Sequence, residues 1–352
     1  MAKTYKHLFD RIASFDALHA AYLRARRGKR TRTEVQHFER DLEGNLIALL
    51  NELQHDTYRS GAYRQFRIFE PKARDVAALP FRDRVVQHAL VAVIEPIFET
   101  RFVAHSYACR PGRGTHRAAD AAQRMIRRVK REHGQVYALK CDVASYFASI
   151  DHAVLKALFR KRIACRRTLQ LLDHIIDSAN PLHTTPGVGL PIGNLVSQLA
   201  ANVMLHELDL HVAHGLQHGS YVRYMDDFIL LHHDKAHLQR LRAHLAQWLQ
   251  RWLRLQLNAK TQVFPVGRWP AHALDFCGYR IWPTHRRVRR SSIQRIHRTL
   301  TRLQRWYRDG LVPLQRVAQS VQSWLAHIAH APAGGLAAAV LGRYSFNRGE
   351  VR

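Results

Sequence analysis

The stretch Tyr221-Val222-Arg223-Tyr224-Met225-Asp226-Asp227-Phe228-Ile229-Leu230-Leu231 sets two adjacent carboxylates inside an apolar, strand-like run. Burying one unpaired charge is costly, and a like charge beside it adds repulsion. The pair therefore demands either an exposed turn or something positive held against it. A third carboxylate has a similar setting. Residues 136–143, VYALKCDV, read as a strand that is apolar up to Asp142 near its end. Asp142 lies 84 residues before Asp226, so only the fold brings them together. A divalent cation supplies a reason. Hard cations such as Mg²⁺ take oxygen ligands, and two metals about 3.5–4 Å apart clamp the attacking and leaving oxygens of a phosphoryl transfer. Adjacent aspartates also mark many ordinary turns, so spacing and composition leave both a metal site and a solvated turn open.

Charge narrows the partner. The 352 residues carry 55 Lys and Arg against 27 Asp and Glu, a net charge of +28. Such an excess calls for a polyanion, with nucleic acid the default and an anionic membrane surface the rival. No run of about 18 apolar residues is present, so no membrane span is expected. The N-terminus lacks the apolar stretch and cleavage site of a signal peptide, and a cytoplasmic location is the expectation. Cys109, Cys141, Cys165 and Cys277 form no C-x-x-C pair, which argues against a disulfide framework or zinc ribbon. The 24 histidines are scattered, and solvated or packing roles are expected for them.

The chain reads as helical over most of residues 5–60, with a strand at 66–71 and a helix over 81–101, from Phe81 to the vicinity of Pro96. A loop at 110–114 precedes a basic helix over 115–131. A helix follows at 151–159, then a Pro/Gly-rich segment at 181–193 that cannot be helical. Helices are expected over 197–214 and 235–254, with a hairpin between them around 225–227 and short strands near 262–266 and 276–282. Between Arg280 and Arg308 stand ten arginines and no acid. On a helical wheel Ile293, Ile296, Leu300, Leu303 and Tyr307 share one side, while Arg295, Arg298, Arg302 and Arg305 share the other. Together with Arg110, Arg113 and Arg127, those arginines are candidate contacts to a phosphate backbone.

YMDD flanked by strands resembles the catalytic motif of reverse transcriptases, and further matches occur in order. Asp142-Val143-Ala144-Ser145-Tyr146-Phe147 is similar to that family's first catalytic motif. GLPIGNLVSQLAANVMLHELD (189–209) resembles the next motif, LNAKT (257–261) the lysine-bearing segment, and FCGYRI (276–281) the primer-grip hairpin. Residues 69–90 resemble the fingers segment that meets the incoming nucleotide. The resemblance implies an α+β right-hand polymerase: fingers over 1–135, an antiparallel-sheet palm over 136–284, and an α-helical thumb over 285–352. It implies that Asp142, Asp226 and Asp227, with the main-chain carbonyl of Val143, hold two Mg²⁺ ions, for which Mn²⁺ substitutes. Mg²⁺, rather than the protein, would then offset the repulsion at the hairpin.

It further implies that Lys72 and Arg74 hold the triphosphate, with Arg82 and Arg84 weaker candidates that often pair locally. Phe147 would pack under the sugar and exclude a 2′-hydroxyl, and Lys260 would meet the pyrophosphate. Phe276, Cys277, Gly278 and Tyr279 would form the primer grip. The substrates implied are dNTPs, a template RNA and the cDNA made on it.

One departure is informative. Many reverse transcriptases carry Gln-Gly-x-x-x-Ser-Pro where this chain has Ile192-Gly193-Asn194-Leu195-Val196-Ser197-Gln198. That I-G-x-x-x-S-Q pattern resembles the enzymes of diversity-generating retroelements. These copy a template-repeat RNA, misincorporate opposite adenine, and work with a small basic accessory variability protein that forms a pentamer. Isoleucine at 192 can only pack where an amide would hydrogen-bond, which relaxes selection near the nascent pair. Ile192, Gly193 and Gln198 are therefore assigned to the nucleotide site. The alternatives are another bacterial reverse transcriptase (retron, group II intron-like or phage-defence type) and a non-catalytic RNA-binding protein on a polymerase shell.

Overall fold

Proline and glycine punctuate the chain, and regular elements form between them. The computed structural model describes residues 3–69, 74–179, 185–267, 272–332 and 335–348. Helices α1 (Phe15–Ala25), α2 (Thr33–Glu39) and α3 (Leu42–Gln54) come first; Ser14 and Asp41 cap α1 and α3 by accepting from Ala17 N–H and Gly44 N–H. Strands β1 (Arg64–Ile68) and β2 (Arg74–Ala78) pair antiparallel, Phe66 opposite Val76. Then follow α4 (Phe81–Glu99), α5 (Thr115–His133), β3 (Tyr137–Asp142), α6 (Tyr146–Ser149), α7 (His152–Arg160), α8 (Arg166–Asp177) and α9 (Leu195–Leu210). Next are β4 (Tyr221–Tyr224), β5 (Asp227–His232), α10 (Lys235–Leu253), β6 (Gln262–Pro265), β7 (Leu274–Phe276), β8 (Tyr279–Ile281) and β9 (Arg286–Val288). Helices α11 (Arg290–Arg308), α12 (Leu314–Ile328) and α13 (Leu336–Leu341) complete the described chain.

Strands β2 and β9 and helix α8 are not evident from the sequence. RDVAA and RRV are too short and too charged to show a period. Helix α4 runs through Pro96 to Glu99, within the 81–101 span expected for it. The proline forfeits one hydrogen bond, while burial of Val93, Ile94, Ile97 and Phe98 on both sides of it holds the last turn.

The chain divides into two compact units, each drawn from three segments. The first comprises Met1–Pro111, Cys141–Gly219 and Ala243–Thr261. Its core is α4 against α1 and α9, with Val85, Val86, Leu90 and Ile94 buried on α4 and Leu199, Ala200, Val203 and Met204 on α9. Each large apolar side chain so buried contributes about 1.5–3 kcal/mol. The orphan N–H groups at the start of α9 are met by α4: the buried Gln87 Oε1 accepts from Leu195 and Val196.

The second unit comprises Gly112–Lys140, Ser220–Arg242 and Gln262–Arg352. It contains a sheet in the order β4-β5-β3-β6, with β4–β5 and β3–β6 antiparallel, apart from the last two residues of β3, which fall in the first unit, and a three-stranded antiparallel sheet β7-β8-β9. Helix α5 packs on β4 and β8 and buries Ala118, Ala119, Ala122, Met125 and Ile126, the three alanines permitting close approach. Helix α11 buries Ile296, Leu300 and Leu303 and exposes Arg295, Arg298, Arg302 and Arg305, as its wheel requires.

Candidate active site

The hairpin differs in detail from the sequence expectation. Tyr224 pairs with Asp227, so the connecting loop is only Met225-Asp226, and Asp227 is already the first residue of β5 rather than part of the tip. Met225, the first loop residue, has φ +57°. A two-residue loop with positive φ at its first position alone is a II′ turn, a place that favours glycine. The strain of a non-glycine residue there is about 1–3 kcal/mol. Arg223, 0% exposed, donates from Nη1 to the Met225 carbonyl at 3.1 Å and braces the turn.

Protein charge sits against Asp227, in addition to any that a bound metal would supply. Lys140 Nζ lies 3.5 Å from Asp227 Oδ2 and also donates to the Asp275 carbonyl at 2.6 Å. Neither Lys140 nor Arg223 stands out in the sequence. The signal available is position: Lys140 stands two residues before Asp142, on the same face of β3.

Asp142 closes β3, the strand next to β5 in the sheet. Asn258 holds it twice, the N–H donating to its carbonyl at 2.7 Å and Nδ2 to Oδ2 at 3.1 Å. The sequence points to Lys260 in LNAKT; the structure puts Asn258 on the carboxylate, while Lys260 is exposed and gives its main-chain N–H to Asn258 Oδ1. Val143 is buried and bridges Leu257.

The remaining nucleotide-site candidates of the first unit are linked through backbone. Phe147 is half-buried on α6; its carbonyl accepts from Leu190 N–H at 2.7 Å, and neighbouring Tyr146 donates its hydroxyl to Ala201 O at 2.6 Å. Ile192 offers its carbonyl to Ala77 N–H of β2 at 3.3 Å. Gly193 has φ +114°, and a Cβ there would meet Val76 Cγ1 at 3.1 Å, so this turn needs glycine. Gln198 lies half-buried in the first turn of α9. Arg74 is exposed on β2, and Lys72 lies outside the described residues. Arg82 and Arg84 pair with Glu52 and Glu34.

In the second unit, β7 and β8 are joined by Cys277-Gly278, with φ +49° and +89°, the two positive values of a I′ turn. Burial pushes the Cys277 thiol up, the Asp227 charge adds to this, and Arg289 and Lys140 oppose it. Burial also pushes the Tyr279 hydroxyl up to about 12, where it donates to His327 O at 2.8 Å.

Two of the basic candidates have partners within their own unit. The Arg110 guanidinium is 3% exposed and is spent on Glu99 and the carbonyls of Val103 and Ser106. Arg127 donates to the carbonyls of Pro283 and Thr284. Each satisfies buried or loop carbonyls of its own unit, a structural job that sequence does not distinguish from phosphate binding. Arg113 is half-buried.

A family model described as reverse transcriptase (RNA-dependent DNA polymerase) matches residues 70–281, more than half of the chain. The chain belongs to the reverse transcriptase family. The α+β class, with a reverse-transcriptase fold, and the RNA-directed DNA polymerase class stand with it. This reverse transcriptase is 28% identical over 260 residues to Protein YkfC of Escherichia coli (strain K12), covering 62% of this chain and 68% of that protein. It is 28% identical over 177 residues to the group II intron-encoded protein LtrA of Lactococcus lactis subsp. cremoris, covering 48% of this chain and 28% of the other. The chain thus spans under a third of that second relative. Among solved structures, apo telomerase from Candida tropicalis aligns with a TM-score of 0.47 at 12% identity, over 85% of this chain and 65% of that one.

The groups named as candidates, aspartate carboxylates and a main-chain carbonyl, are the kind of oxygen donors a hard divalent cation takes. Among the described residues no three His, Cys, Asp or Glu side chains already form a cage. Lys140 engages Asp227 and Asn258 engages Asp142. Among the described residues no helix is long and apolar enough to cross a membrane.

Proposed function

We propose that this reverse transcriptase copies a template-repeat RNA into error-prone cDNA within a diversity-generating retroelement. Polymerisation itself is supported chiefly by one observation: the family match spans Asp142 at the end of β3, Asp226 in the β4–β5 loop and Asp227 at the start of β5. Asp142, Asp226, Asp227 and the Val143 carbonyl would hold two Mg²⁺ ions, which when bound offset the charge of the triphosphate and of the leaving pyrophosphate. Asn258 orients Asp142, and Phe147 lies where the sugar is selected. Arg74, with Lys72, meets the phosphates, Lys260 meets the pyrophosphate, and the hairpin at Phe276–Tyr279 guides the primer. The exposed arginines of α11 track the RNA or cDNA backbone. A cytoplasmic site of action and a pentameric basic accessory protein belong to the same proposal.

The narrower identity rests on Ile192 and Gln198. The Ile192 main chain is tied to β2, so its side chain can vary without loss of that bond. A second reading, a group II intron-like enzyme, is favoured by the likeness to the intron-encoded protein of L. lactis. Extension on RNA with sequencing of the products separates the two. Errors concentrated opposite template adenine, and reduced in Ile192→Gln, favour the first reading. Uniform, low error in both proteins favours the second.

A further inference from the structure

The Lys140 ammonium reaches both a candidate catalytic carboxylate and the β7–β8 hairpin. We infer that Lys140 is a positioning residue that ties Asp227 to that hairpin and competes with the divalent cation for the carboxylate. The inference rests on the polymerase reading of the site.

The geometry carries it. Nζ stands at ion-pair distance, 3.5 Å, from Asp227 Oδ2, with side chains only 24% and 27% exposed, so solvent screens the attraction incompletely. The same Nζ donates to the carbonyl of Asp275 at 2.6 Å, and Asp275 lies on β7 immediately before Phe276. Its carboxylate is separately engaged by Arg289, so the carbonyl contact does not depend on charge at that residue. An ammonium has three donors and serves both partners at once. A divalent ion taken up by Asp227 would face this unit positive charge a few ångströms away, and a flexible four-carbon stem lets Lys140 yield while keeping its bond to Asp275. Metal occupancy at the β4–β5 turn is thereby coupled to the hairpin through one side chain.

The test uses the whole chain and Mn²⁺ as probe, counting free Mn²⁺ by electron paramagnetic resonance and following thermal melting with and without the ion. Lys140→Met should bind Mn²⁺ about three- to tenfold more tightly and show a larger Mn²⁺-dependent rise in Tm. Lys140→Arg, which keeps the charge and donors, should stay near wild type. Lys140→Gln, which keeps a donor for Asp275 without the charge, should share the tighter Mn²⁺ binding and raise the KM for primer–template less than Lys140→Met does; it also serves if Lys140→Met folds poorly. A merely structural lysine would lower Tm equally in both conditions and leave Mn²⁺ affinity unchanged, and that result overturns the inference alone. Wild-type Mn²⁺ binding that is absent, or indifferent to Asp227→Asn, would instead overturn the site reading and the inference with it.

Discussion

Asn258 grips Asp142 by two hydrogen bonds, one from its main chain at 2.7 Å and one from its side chain at 3.1 Å. The first fixes where the strand ends, and the second fixes which way the carboxylate points. Only the second is lost in Asn258→Ala. A hydrogen bond to a charged group is worth about 1.5–3 kcal/mol. Primer extension should therefore fall about tenfold or more, and Tm should fall with it, because the substitution also removes the acceptor of the Lys260 N–H. Asn258→Asp, which sets a like charge against Asp142, should be worse than alanine.

Met225 sits at φ +57° in the II′ turn. Met225→Gly should relieve the strain and raise stability by about 0.5–1 kcal/mol. Met225→Val, β-branched and poorly suited to positive φ, should lower it by about 1 kcal/mol or more. Urea unfolding of the three proteins checks the order.

Much of this site is legible in the sequence. Asp142, Asp226 and Asp227 stand out because each interrupts an apolar run, and the periodicity of Ile296, Leu300 and Leu303 correctly predicts the buried side of α11. What the sequence hides is long-range pairing. Arg110 and Arg295 look alike in a string of letters, yet one is locked to Glu99 and the other is exposed. Lys140 and Asn258 acquire meaning only when β3 is paired and the chain returns 116 residues later to Asp142. Strand β2 is invisible because its charges mask any alternation.

That difference between arginines has its own test. Replacing Arg295, Arg298, Arg302 and Arg305 with alanine should weaken RNA binding and flatten its salt dependence by about 0.7 in log–log slope for each phosphate no longer neutralised. Arg110→Ala should leave the slope unchanged and lower Tm, because it strips Glu99 and two carbonyls of their donor.

His88 on α4 is held far below the usual imidazole range, at about 4, by burial first and then by Arg24 and Lys29. The folded protein keeps it neutral, while the unfolded chain protonates near 6.5. The unfolded state therefore binds more protons between those values, and stability falls as pH drops from about 6.5 to 4. His88→Gln should flatten the slope of unfolding free energy across that window. An unchanged slope would assign the acid sensitivity elsewhere.

Template-directed primer extension on RNA, with Mg²⁺ and dNTPs, tests the central claim most directly. Wild type should extend the primer, and Asp226→Asn/Asp227→Asn should lose about 10³-fold or more of that rate while keeping its Tm and RNA affinity. Equal extension by the wild type and the double variant would contradict the account.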